Sequence, residues 1–161
     1  MKQINVACIG YGKRARKYYI PILQKLCDRF SICGVCARTP ESVHEAESSL
    51  NVPGFLRVSD LVKKTSPDMV LILTGRNDHA DAAVEVLQHR IPVLIETPIA
   101  DSLEDAERII EASHTYNVPA EIAENLFRNP EMQIIRSAVR ETLLGEINVV
   151  YSQFTGHGYH G

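Results

Sequence analysis

The chain has 161 residues, 45% hydrophobic and 23% charged, the composition of a folded globular protein, which excludes intrinsic disorder. Its 17 Lys+Arg against 20 Asp+Glu give a formal net charge of −3, arguing against a surface built to neutralise nucleic-acid phosphates. Gly10 interrupts the first apolar run too early for a secretory leader, and no later run approaches the ~18 residues of a membrane span, so a soluble cytoplasmic protein is expected. On that expectation Cys8, Cys27, Cys33 and Cys36 are free thiols.

Ile4–Ile9 reads as a buried strand running into a glycine turn. Ala15, Tyr18, Tyr19, Ile22 and Leu26 then recur at helical spacing, with Pro21 expected to bend that helix because it lacks an N–H. Phe30–Cys36 is the second strand. Thr39-Pro40-Glu41 reads as cap, first helical residue and first-turn acid of a polar helix ending near Leu50. Ser59 opens a shorter helix through Leu61 and Val62. A third strand over 68–73 is almost continuously apolar, as in a strand covered on both faces, and Ala80, Ala83, Val84 and Leu87 fall on one face of the next helix.

The unit repeats with a fourth strand over 92–95 and a helix opened by a capping-box-like Asp101 and Glu104. Its expected buried stripe is Leu103, Ala106, Ile109, Ile110 and Ser113, and a fifth strand covers 118–122. This rhythm implies right-handed crossovers and a doubly wound α/β domain with a parallel sheet over 1–122. Past it, Asn129-Pro130-Glu131 starts a helix with Met132, Ile135, Val139 and Leu143 inward. Gly145 stops it, and 147–154 reads as one long strand. One helix and one strand cannot bury themselves, so 123–161 is expected to begin a second, α+β domain whose remainder lies outside the chain. The unpaired edge of 147–154 predicts self-association into a homo-oligomer.

Gly10-Tyr11-Gly12-Lys13-Arg14-Ala15 fits G-x-G-x-x-G/A between a strand and a helix, the context a dinucleotide-binding turn requires. Gly10 permits the turn, Gly12 lets backbone approach a pyrophosphate, and Ala15 allows close helix–sheet packing. The helix start supplies free N–H groups, with Lys13 and Arg14 beside them. After the second strand no carboxylate is placed to accept a ribose 2′-OH; Arg38 and Thr39 could instead hold a 2′-phosphate, favouring NADP over NAD. Without that ligand Arg38 is a solvated cation and Thr39 a plain helix cap.

Cys33 and Cys36 form a lone C-x-x-C on a strand, where residues three apart point to opposite faces. With no second pair, and with His157 and His160 lacking further ligands, no metal site is expected.

The glycine turn, Thr74-Gly75-Arg76-Asn77-Asp78-His79, Glu96-Thr97-Pro98, and 123–130 followed by Gly145-Glu146-Ile147 resemble the Gfo/Idh/MocA oxidoreductases. The resemblance implies a nicotinamide dinucleotide across the carboxyl ends of the strands and hydride transfer to or from a hydroxyl carbon of a sugar, polyol or related small molecule. It implies that Thr74, Gly75, Asn77 and His79 line the nucleotide, with Glu96 and Asn125 nearer the nicotinamide. Taken singly, Asn77 reads as a helix cap and His79 as an exposed first-turn residue. Thr97 stands where the family has lysine and cannot do that lysine's proton work. No catalytic residue is therefore assigned, and the chain alone is expected to bind cofactor with little turnover. A non-catalytic dinucleotide sensor and an NAD-dependent glycoside hydrolase are the alternatives.

Overall fold

The computed structural model describes residues 2–153, and in it six strands form one parallel sheet: β1 (Ile4–Ile9), β2 (Phe30–Cys36), β3 (Gly54–Phe55), β4 (Met69–Ile72), β5 (Val93–Ile95) and β6 (Ala120–Ile122). Their order is β3-β2-β1-β4-β5-β6, so the sheet reverses direction of growth between β1 and β4. A ligand crevice opens at the carboxyl ends of such a switch point. The first two strands coincide with their sequence boundaries. β3, only two residues long, is too short to show alternation and is absent from the sequence reading.

Two apolar layers sandwich the sheet. On one face Ala15, Ile20 and Leu23 of the first helical run and Ala46 of α2 (Pro40–Leu50) pack on Val6, Cys8, Val35 and Leu71. On the other, Leu61 of α3 (Val58–Thr65), Ala83, Val86 and Leu87 of α4 (His79–Gln88), and Ile109 of α5 (Leu103–Tyr116) pack on Ala7, Ile9, Val70, Ile72 and Ile95. Consecutive β-strand residues thus serve opposite layers, which is why β1 and β4 are apolar at nearly every position.

Three local departures have physical causes. The helical run over 13–25 is wound as a π-helix through Ala15–Tyr19 before α1 (Ile20–Lys25), with Ile20 N–H donating to the Ala15 carbonyl. Pro21, which has no N–H to give, sits at the change of winding. In β2 the pairing steps from Val6↔Ile32 to Ala7↔Gly34, so Cys33 is an extra, bulged residue. The bulge returns Cys33 to the same layer as Cys36, correcting the opposite-face expectation. The α5 cap is Ser102, whose Oγ accepts from Asp105 N–H at 3.1 Å, one residue later than the expected Asp101. Its buried stripe centres on Ile109 and Ala112, leaving Leu103 85% and Ile110 50% exposed.

The described residues divide into two compact units meeting between Ala123 and Glu124. In the second, Asn129 Oδ1 caps α6 (Pro130–Arg140) by accepting from Glu131 N–H. The helix ends at Arg140, so Leu143 lies beyond it, and Met132, Ile135 and Val139 are exposed rather than inward. Residues 147–153 form no strand, so the edge on which self-association was expected is not formed there. Phe154, His157 and His160 lie outside the described residues. Among the described residues no helix is long and apolar enough to cross a membrane.

Candidate functional site

A cleft of about 720 Å3 opens over the carboxyl ends of β1, β2 and β4. Its floor is the glycine turn. Gly10 has φ +100°, and a Cβ there would lie 2.7 Å from the carbonyl carbon and oxygen of Leu73, so only glycine lets the β1 and β4 ends approach. At Gly12 a Cβ would meet nothing within 4 Å. Protein packing does not demand glycine at that position; a molecule lying against the backbone would.

Gly10, Tyr11, Gly12, Lys13 and Arg14 line the floor, Arg38 and Thr39 the β2 side, and Thr74 and Gly75 the β4 side. Thr39 Oγ1 accepts from Ser42 N–H at 3.3 Å and lies 3.2 Å from Ser42 Oγ, so its role as helix cap and its place on the cleft coexist. Thr74 Oγ1 is the one buried side-chain polar atom without a hydrogen-bond partner among the described residues. An open Cβ position at Gly12, an unsatisfied hydroxyl at Thr74 and the cation of Lys13 beside free helix-start N–H groups suit a phosphate-bearing dinucleotide.

Other sequence-predicted residues stand off the cleft. Ala15 is buried under the helix, in the packing role its size allows. Asn77 is exposed in the 3-10 turn Arg76–Asp78 and does not line the cleft. His79 is only 2% exposed, against the surface position its first-turn location suggested. Its Nδ1 lies 2.9 Å from the Pro98 carbonyl and its Nε2 3.2 Å from the Thr74 carbonyl, so the ring joins the loops after β4 and β5. Asn125 belongs to the second unit.

Glu96 is 5% exposed at the end of β5. Its carboxylate accepts from Arg14 Nε, from Thr97 N–H at 2.5 Å and from the Tyr19 hydroxyl. The Tyr19 phenol is pushed up to about 12, first by burial and then by the charge and hydrogen bond of Glu96. A carboxylate held by three donors is a strut between the glycine turn and the β5 loop rather than an available base. Thr97 is exposed, and its peptide bond to Pro98 is cis.

The sequence reading missed Arg16, Ser42, Glu45, Leu56, Val58, Asp78, Asp81, Ala82 and Glu85, all of which line the cleft. A signal existed for most of them: 42 and 45 follow the Thr39 cap at helical spacing, and 78, 81, 82 and 85 share one face across the start of α4. Asp81 is also turned toward α5, where Arg108 donates to it at 2.7 Å while also donating to Asp105. Arg108, with Ser102, holds the Asp105 carboxyl below its ordinary range.

The chain is 26% identical to the inositol 2-dehydrogenase of Corynebacterium glutamicum over 91% of its own length and 44% of that protein's. It is 24% identical to a glycosyl hydrolase family 109 protein of Akkermansia muciniphila over 90% of its length and 32% of the relative's. Its structure superposes on the WlbA dehydrogenase of Bordetella pertussis, crystallised with NADH and UDP-GlcNAcA, with a TM-score of 0.82 and 26% identity, covering 89% of this chain and 44% of that one. The chain spans 35–41% of the length of three curated relatives from yeast, Bacillus subtilis and Rhizobium meliloti. The family model described as an oxidoreductase family with an NAD-binding Rossmann fold matches residues 4–123, and with the switch-point cleft and glycine turn in place the chain belongs to the Gfo/Idh/MocA oxidoreductases.

Proposed function

We propose that this chain supplies the dinucleotide-binding part of an NADP-preferring oxidoreductase acting on a hydroxyl-bearing carbon of a sugar, polyol or related small molecule. The supporting observation is the chemistry of the cleft wall at the end of β2. Arg38 and Thr39 line it with Ser42, and Cys36 and Ala37 stand where a ribose-binding carboxylate would be needed for NAD. Gly10, Tyr11, Gly12, Lys13 and Arg14 bind the diphosphate, and Thr74 and Gly75 orient the half of the cofactor nearer β4. When bound, a nicotinamide accepts or gives a hydride at C4.

The proton side of the reaction is where this chain departs from its relatives. Thr97 can orient a substrate hydroxyl but does not titrate near neutral pH, and Glu96 is occupied by Arg14, Thr97 N–H and Tyr19. The chain therefore binds and positions, and the substrate's proton is handled elsewhere. Saturating NADP should raise the unfolding temperature of the purified chain while sugars and polyols give no cofactor reduction. Steady dehydrogenase turnover by the chain alone would contradict this division of labour.

A second reading draws on the glycosyl hydrolase family 109 relative. In it the cleft residues would keep a nicotinamide dinucleotide bound throughout glycosidic bond cleavage, and the cofactor would supply reversible redox chemistry with no net change. Hydrolysis of a glycoside without net cofactor reduction would select that reading.

A further inference from the structure

We infer that Arg16 is a second recognition cation for the 2′-phosphate of the cofactor, and that Glu45, its partner across the cleft, tunes how strongly that phosphate is preferred. The inference rests on the proposed dinucleotide reading of the cleft and adds to it two residues that neither the glycine motif nor the end of β2 contains.

Arg16 leaves the helical run just past the glycine turn, and its Nη1 pairs with Glu45 Oε1 of α2. Its guanidinium also lies over the Tyr11 ring, 5.8 Å from the centroid, so the planar group is held from below by a buried aromatic face. Both partners of the pair line the cleft, with side chains 46% and 47% exposed. The wall of α2 opposite Arg16 presents Thr39 and Ser42 hydroxyls 3.2 Å apart and then, one turn on, the Glu45 carboxylate. Arg38 stands at the same wall with no ion-pair partner among the described residues. Two guanidinium groups and two hydroxyls thus line the same cleft, with the Glu45 carboxylate competing for one of the cations.

A guanidinium fork fits a phosphate as well as it fits a carboxylate, and an ion pair this exposed is weakly held. A dianionic 2′-phosphate entering the cleft draws Arg16 from Glu45. A ribose bearing only a 2′-OH leaves the pair intact and meets Glu45 as a hydrogen-bond acceptor. Arg16 thereby rewards the phosphate, and Glu45 opposes it.

The probes are 2′,5′-ADP and 5′-AMP, which differ by the phosphate in question and need no nicotinamide. Calorimetric titration should show 2′,5′-ADP binding more tightly to the wild-type chain. Arg16→Ala should weaken 2′,5′-ADP about tenfold and 5′-AMP less than about twofold. Glu45→Gln should tighten 2′,5′-ADP about threefold and weaken 5′-AMP by less than about twofold. If Arg16→Ala fails to fold, Glu45→Gln and Arg16→Lys carry the test, the latter retaining charge but losing the fork and so part of the preference. A pair that merely ties two helices together would lower the unfolding temperature in each variant without moving the ratio of the two affinities, and that result overturns the inference while leaving the dinucleotide reading intact. Failure of the wild-type chain to bind either nucleotide overturns both.

Discussion

The β2 wall of the cleft and the β5 loop beside it treat polar residues in opposite ways. On the β2 side Arg38 is exposed and Thr39 half-buried, and both line the opening. On the β5 side the polar residues are spent on the protein itself: His79 is buried between two carbonyls and Glu96 is buried among three donors. On the function proposed above, the β2 side discriminates ligands, while the β5 side holds two loops in register. Substitutions on the β5 side should therefore cost stability, and substitutions on the β2 side should cost recognition.

The largest expected effect is at His79. His79→Ala removes the two ring nitrogens that face the Pro98 and Thr74 carbonyls and leaves a buried cavity, so chemical denaturation should show a loss of about 3 kcal/mol. A loss below ~1 kcal/mol would mean that the β5 side is not the rigid one.

Tyr19→Phe is next, with about 1 kcal/mol lost at neutral pH because Glu96 keeps its other two donors. The pH dependence sharpens this. The folded phenol is raised from 10.0 to about 12, so the native state holds that proton more tightly than the unfolded chain does. Its contribution is complete below pH 10 and is lost as pH rises towards 12. The wild-type chain should lose stability over that window by more than Tyr19→Phe does, and phenolate absorbance should show one of the six tyrosines ionising late. Identical alkaline profiles would remove Tyr19 from the Glu96 cluster.

The smallest stability effect belongs to Arg38→Ala, expected within ~0.5 kcal/mol of wild type because the side chain is exposed and makes no ion pair among the described residues. The same substitution should weaken NADP about tenfold. A variant that is destabilised but binds NADP normally would invert the comparison between the two sides.

The scaffold was legible because its signals are local. β1 and β2 are bounded by turns and apolar throughout, the glycine turn sits between strand and helix, and Thr39-Pro40 and Asn129-Pro130 announce their helices. Burial was not legible where it depends on distant chain. His79 is enclosed by a carbonyl 19 positions away and Arg14 meets Glu96 across 82. Periodicity gave α5 a buried stripe of Leu103, Ala106, Ile109, Ile110 and Ser113; packing buries Ile109 as expected but adds Ala112 and leaves Leu103 and Ile110 exposed. In α6 the spacing identified an apolar face but not whether the described residues cover it, and Met132, Ile135 and Val139 are exposed. The C-x-x-C reading failed for a related reason, since a bulge at Cys33 depends on how β2 registers against β1.

On the proposed function the β2 side of the cleft reads the phosphate of NADP, and calorimetric titration of the chain with NADP and with NAD, before and after Arg38→Ala, decides whether it does. Tighter binding of NADP to the wild-type chain and near-equal affinities in the variant are expected of that reading. Equal affinities in the wild-type chain, or a preference for NAD, would contradict it.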